Sequence, residues 1–463
     1  MPIKQFIIIA ICFLSLGLHA QFYNGMQTDF GKNRVQYRPY LWQYYRLPSF
    51  DVYFYENGSN LASYVAKQAS LFIPEMEAMV GTTLQNRIIF LVYNNLSDFR
   101  QSNIGLITGN DQYNIGGTTQ LIDNKVSLYY EGDHRLLDKQ IKAAIAEILI
   151  NQALFGSDFK AKLTNSTLLS LPDWYFKGLI SYLSEEWNSD IENNIRDGVM
   201  NHRFDKFNRL SGKDAVYAGH AIWFFITQKF GKQTIPNILY LTRISKNVET
   251  GFLYTIGLPV KYLSHEWLDF FQQKFEKDES TRISPNETFA TKKIKSNRIV
   301  RELRLSPDEQ WTAYSVNYMG RIKVYLKNNN SGKNFSIYKQ GVRLDQITDY
   351  SYPIIAWHPT GKLVAFIVEK KGTKYLYTYE IETKELSFKE LFNVEKILDF
   401  SFSHNGFNLV LSAVKNGKTD IFVFNNAANS YEQITNDLAD DRYPQFIDLS
   451  SKIVFSSNRL SNT

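Results

Sequence analysis

Cysteine is nearly absent: the 463 residues contain one, Cys12. It lies inside an uncharged apolar run, Phe6 to Leu18, that follows Lys4 and ends before Ala20. A positive start, an apolar stretch of about 13 residues and a small residue at the cut form the pattern of a secretory signal peptide. Gln21 is then the expected mature N-terminus. A bilayer span needs roughly 20 apolar residues, and no later stretch reaches that length. A chain beginning at Gln21 has no cysteine, which excludes disulfides, thiolate metal sites and a cysteine nucleophile. Neither sign of charge dominates, with 52 Lys and Arg against 46 Asp and Glu. The net charge of +6 is spread along the chain without a basic block, so nothing points to nucleic acid. The G-x-S-x-G, phosphate-loop and dinucleotide motifs are missing. His134, His202, His220 and His265 form no i, i+4 pair, so they read as solvated or core residues rather than metal ligands.

Apolar and aromatic residues are plentiful, at 44% and 15%, enough for two cores held by burial alone. Phe50 to Glu56 and Arg87 to Tyr93 are rich in β-branched and aromatic residues and predict strands, with a helix from Leu61 to Val80 between them. Gly116 to Ile122 and Lys125 to Glu131 flank Asp123-Asn124 as a hairpin. Helical spacing then runs over Leu136–Phe155, Pro172–Trp187, Asp190–Met200, Ala215–Phe230 and Val260–Phe275. From about Asn297 short strands and turns replace helices, which makes 278–297 a charged linker.

The last third is repetitive. Leu305-Ser306-Pro307-Asp308, Trp357-His358-Pro359-Thr360-Gly361, Phe402-Ser403-His404-Asn405-Gly406 and Phe446-Ile447-Asp448-Leu449 each precede an alternating apolar strand. Their first residues recur at intervals of 52, 45 and 44 residues, the period of propeller blades. Ile322–Tyr325, Leu376–Tyr379 and Asp420–Val423 recur between them. These segments resemble the TolB-type repeat, W-S-P-D-G and a strand followed by a D-I-(F/Y)-(V/L) strand. About three and a half blades are expected in 298–463, an incomplete ring, and hence a chain that continues further.

The region from Phe50 to Phe275 resembles the peptidase-MA-like branch of the gluzincin zinc peptidases. In that family H-E-x-x-H on a helix supplies two zinc ligands and a catalytic Glu, and a later W-x-x-E-G helix supplies the third ligand. Here the first helix reads Ala146-Glu147-Ile148-Leu149-Ile150, with Ala146 and Ile150 at the histidine positions. The second reads Trp174-Tyr175-Phe176-Lys177-Gly178, with Lys177 at the glutamate position. The resemblance therefore implies a pseudo-peptidase without zinc or another cofactor, in which Glu147 and Lys177 form an ion pair. It further implies that Lys125, Val126, Ser127, Leu128, Tyr129, Tyr130 and Glu131 are an edge strand able to pair with an extended peptide.

The expected fold class is thus an α+β metallopeptidase-like domain (21–277) followed by an all-β propeller, behind a signal peptide (1–20). The expected function is non-enzymatic binding of envelope proteins or extended peptides, in the periplasm or at the outer membrane if the cell has two membranes. The alternative is the front part of a propeller-containing hydrolase whose catalytic domain lies beyond residue 463.

Overall fold

The computed structural model describes residues 36, 39–102, 121–122, 124–156, 169–283, 298–343 and 349–459, all within one compact unit, Arg34–Thr463. The signal pattern from Lys4 to Ala20, Cys12, residues 116–120 of the expected hairpin and most of the 278–297 linker lie outside the described residues.

The front half begins as a mixed sheet. Strands β1 (Gln43–Arg46), β2 (Phe50–Phe54), β3 (Ile88–Tyr93), β4 (Leu121–Ile122) and β5 (Lys125–Tyr129) lie in the order β1-β2-β3-β5-β4. The inner strands β2, β3 and β5 are parallel, and both outer pairings are antiparallel. Parallel strands need a covering crossover. Helix α1 (Ser59–Val80) supplies it between β2 and β3, burying Leu61, Val65, Ala69, Ile73, Met76 and Val80 on one stripe. It stops at Gly81, whose left-handed φ of 75° lets its N–H bond Glu77 O. A short helix, α2 (Leu96–Phe99), follows β3.

Among the described residues seven further helices follow up to residue 279: α3 (His134–Phe155), α4 (Asp173–Ser184), α5 (Ser189–Met200), α6 (Gly212–Phe230), α7 (Thr234–Ser245), α8 (Val248–Ile256) and α9 (Val260–Glu279). Strand β1 and helices α7 and α8 were not expected from sequence. Helix α4 ends three residues earlier than its pattern suggested, because Glu185 turns extended. Helices α4 and α6 cross with no side chain between them at Gly178 and Gly219. A Cβ on Gly219 would lie 2.2 Å from Trp174 O, and one on Gly178 would lie 2.4 Å from Gly219 Cα.

The back half is a row of antiparallel sheets. The first blade holds β6 (Arg298–Leu305), β7 (Trp311–Tyr318), β8 (Arg321–Asn328) and β9 (Asn334–Gln340). The second holds β10 (Ile354–Trp357), β11 (Leu363–Lys370), β12 (Thr373–Glu380) and β13 (Leu386–Leu391). The third holds β14 (Lys396–Phe402), β15 (Asn408–Lys415), β16 (Lys418–Asn425) and β17 (Ser430–Gln433), and a two-stranded sheet of β18 (Asp441–Ile447) and β19 (Lys452–Ser457) follows. No closed barrel forms among the described residues.

The repeat seen in the sequence has a local cause. In each four-stranded blade the middle hairpin turns on X-Gly with both residues at positive φ: Met319-Gly320, Lys371-Gly372 and Asn416-Gly417. This is the tight turn whose twist matches paired strands. The hairpin registers close at Tyr318↔Arg321, Lys370↔Thr373 and Lys415↔Lys418. The true counterparts of Asp420 are therefore Lys323 and Tyr375, so the sequence alignment on Ile322 and Leu376 had slipped. Turns of successive blades also touch. A Cβ on Gly406 would run into the His358 ring at 1.8 Å, one on Gly361 would meet Asp308, and His404 N donates to Ser450 Oγ at 2.7 Å.

Candidate functional site

The positions aligned with zinc ligands sit in the core of the front half. Ala146 and Ile150 are fully buried among the apolar residues of α3. Lys177 is partly exposed and ion-pairs with Asp173, one turn earlier, at 3.6 Å. Ala and Ile carry no lone pair, so neither position can ligate a metal.

The strand Lys125–Glu131 divides in two. Lys125 and Val126 are paired on both sides, with β3 and with Ile122 and Leu121 of β4. Val126, Ser127, Leu128 and Tyr130 are buried. The chain beyond Tyr129 leads to the back half, where Tyr130 and Glu131 become part of a seam. The Tyr130 hydroxyl donates to Asp440 Oδ1 at 3.0 Å and lies 3.0 Å from Thr419 Oγ1. Asp440 also accepts from His134 N at 2.9 Å, and its Oδ1 lies 2.7 Å from His134 Nδ1. Burial opposes the Asp440 charge, but the His134 contacts outweigh it and hold the carboxyl below its usual range. Glu131 pairs with Lys396 at 2.7 Å. Lys396 is nearly fully buried; burial works against its charge, yet Asp349 and Glu131 keep its pKa raised. Apolar contacts continue the seam, since Val414 of the third blade belongs to the front core and Leu398 packs against it.

Beside this seam lies a cleft of about 720 Å³. Its front wall comes from the ends of β2 and β3 and from the start of α2: Tyr55, Glu56, Asn57, Asn94, Asn95 and Asp98, with Tyr40. Its back wall comes from two hairpin turns and the second-to-third blade connection, including Lys374, Glu390, Phe392, Asn393, Glu395, Lys415 and Asn416. The carboxyl ends of parallel strands are where open α/β sheets place ligands, because the following helices turn away there.

Asp98 organises the front wall. It accepts from Tyr55 Oη at 2.7 Å, Asn95 Nδ2 at 3.2 Å and Gln101 Nε2 at 3.2 Å, while its N–H donates to Asn95 Oδ1 at 2.8 Å and so caps α2. Burial, reinforced by Asp98, pushes the Tyr55 phenol well up. The Tyr40 ring rests on Tyr55 at 4.5 Å. On the back wall Glu395 Oε1 accepts from Asn416 N at 3.0 Å. Burial pushes the Glu395 carboxyl up to about 7; the Asn416 and Gly417 backbone N–H groups and then Lys374 oppose the rise, and Asp98 adds to it. Two buried side-chain atoms of the lining have no hydrogen-bond partner, Asn94 Oδ1 and Glu395 Oε2.

None of these cleft residues was singled out from sequence. The one local signal was the polar run Asn94-Asn95-Leu96-Ser97-Asp98 directly after the apolar strand Ile88–Tyr93. Asn94, Asn95 and Asp98 are buried, and buried polar groups in such a run mark an organised site more often than a solvated loop does.

No known sequence family matches the chain, and no curated protein matches it. Similar solved structures are TolB-like propellers and propeller-bearing proteases. TolB from Acinetobacter baumannii is 16% identical, with a TM-score of 0.28, over 34% of this chain and 37% of that one. A putative TolB from Agrobacterium tumefaciens is 21% identical, with a TM-score of 0.27, over 33% and 52%. The β-propeller domain of the trilobed protease from Pyrococcus furiosus is 17% identical, with a TM-score of 0.26, over 35% and 48%. The chain thus spans between about a third and a half of these three structures. They lend no support to a gluzincin-type front half.

Proposed function

We propose that this protein is a non-enzymatic binding protein of the cell envelope that holds an extended polypeptide segment in the seam cleft. The observation that carries this reading is the lining itself. Asn57, Asn94, Asn95, Asn393 and Asn416, drawn from both halves, line a cavity of about 720 Å³, and the Asn94 amide oxygen there is left without a donor. An amide offers a donor and an acceptor on one plane, the complement of a peptide group. A lining this polar suits a chain with regular backbone donors and acceptors better than a compact apolar ligand. The Lys4-to-Ala20 pattern supports export. The order of a mixed sheet and then helices, with Ala146 and Ile150 at the ligand positions, supports reading the front half as a peptidase scaffold kept without its metal. No helix among the described residues is long and apolar enough to cross a membrane.

A photo-crosslinking amino acid at Phe392, which is 49% exposed at the cleft, tests this reading. In the native cell it should yield discrete polypeptide adducts that the same group placed at Tyr254, 74% exposed on α8, does not give. Equal adduct patterns from both positions, or none from Phe392, would overturn it.

A further inference from the structure

Both buried lining atoms that lack a partner are acceptors, Asn94 Oδ1 and Glu395 Oε2. The assignment at Asn94 is fixed by its other end, since Nδ2 donates to Glu56 O at 2.9 Å. Gly58 leaves that oxygen uncovered, because a Cβ there would come within 2.7 Å of it. Buried acceptors without donors are rare in folded proteins, and each calls for a ligand or water that supplies the hydrogen. The charged side chains facing Glu395 around the cleft are Glu56, Asp98, Glu390, Lys374 and Lys415. Carboxylates outnumber ammonium groups there, and the Lys374 Nζ is turned onto Gly372 O at 2.9 Å.

Resting on the reading of the cleft as a polypeptide site, we propose that Glu395 anchors a primary ammonium group of the bound segment, its amino terminus or a lysine side chain. A planar guanidinium fits less well. Its paired N–H fork needs open lone pairs on both carboxylate oxygens, and the backbone N–H groups of Asn416 and Gly417 already act on this carboxylate, the first at Oε1. An ammonium group, with three donors on one point, needs only Oε2 and has further donors for a second wall. The rings of Tyr40 and Tyr55, tilted against each other with centroids 4.5 Å apart, line the cleft and add aromatic surface, which cations favour. The carboxyl titrates at about 7, so binding an ammonium must drive off its proton below that pH. Affinity for a lysine should then rise as pH increases from 6 to 8, whereas for an amino terminus, which itself titrates at about 8, it should rise and then level off.

Calorimetric titration of the purified full chain with four octapeptide probes tests this. They are an alanine-serine peptide with a free amino terminus, its acetylated form, and acetylated forms carrying one central lysine or one central arginine. A charge-assisted hydrogen bond implies that the free-terminus or the lysine peptide, or both, bind about tenfold tighter than the acetylated peptide without lysine. Which of the two does so distinguishes a terminus from a side chain. Glu395→Gln should remove the preference and its pH dependence, and an unchanged melting curve at pH 5 shows that the variant is folded. Equal binding of all four probes, preference for arginine, or a preference that survives Glu395→Gln would overturn the ammonium anchor and leave the cleft reading standing. Failure of every probe to bind would overturn both.

Discussion

Glu309 occupies a backbone position built for glycine. In the second and third blades the turn after the inner strand places Gly361 and Gly406 at φ of 70° and 76°, each donating to the carbonyl three residues back, His358 O and Ser403 O, at 2.9 Å. The first blade makes the same turn and the same 2.9 Å bond to Ser306 O with Glu309, at φ 59°. A side chain in the left-handed region costs about 1–2 kcal/mol through the clash of Cβ with the following carbonyl oxygen. Glu309→Gly relieves this, partly offset by the added freedom of glycine in the unfolded chain. Thermal and urea unfolding should show a gain of about 0.5–1 kcal/mol, and a loss would show that the Glu309 side chain contributes more than its strain. Serine hydroxyls brace the first and third of these turns, whereas His358 stands at that position in the second. Ser306 Oγ donates to Asp308 at 2.6 Å and accepts from Trp311 N at 2.9 Å; Ser403 Oγ does the same with Asn405 at 2.7 Å and Asn408 N at 2.9 Å.

At the scale of elements, the crossing of α4 and α6 depends on Gly178 and Gly219. Without side chains there, the Trp174 carbonyl and the opposing backbone come within the space of one methyl group. Over-packing a rigid contact forces backbone shifts that typically cost 1–3 kcal/mol. Gly219→Ala should therefore lower stability by about 3 kcal/mol, read as a drop in the urea midpoint with little change in slope, whereas alanine at Gly212 on the open end of α6, with no atom near its Cβ position, pays only for its φ of 58°. A smaller loss at Gly219 than at Gly212 would count against the crossing. Elements such as these were legible where local chemistry repeats. The blade turns, the alternating strands and the long stripes of α1 and α3 could be read from one segment at a time. Helix α8 was missed because Gly251 interrupts it, although Asn247, which accepts from Thr250 N at 3.1 Å, and the left-handed Gly257 mark its two ends. The cleft was illegible for another reason. Its walls come from positions 39–98 and 372–416, and no pattern within either segment reports the other.

For the molecule as a whole, the seam decides how the halves behave. Tyr130, Glu131 and His134 have buried partners in the back half, and Val414 reaches into the front core. Such sharing predicts one cooperative calorimetric transition for both halves. Asp440→Ala takes away the acceptor of His134 N and one partner of the Tyr130 hydroxyl, which keeps Thr419 Oγ1 at 3.0 Å, so it should lower stability by about 2–3 kcal/mol and split that transition in two. Two transitions in the unaltered chain would mean that the seam couples nothing. The same contacts also set a clock. Tyr130 meets an aspartate 310 residues later in the chain, and synthesis proceeds at roughly 5–20 residues per second. For roughly 15–60 s, therefore, the front half exists with its blade-facing polar groups unanswered. During that interval it is the part of the newborn chain most in need of a chaperone's grip, and slowing translation between positions 134 and 440 lengthens its exposure.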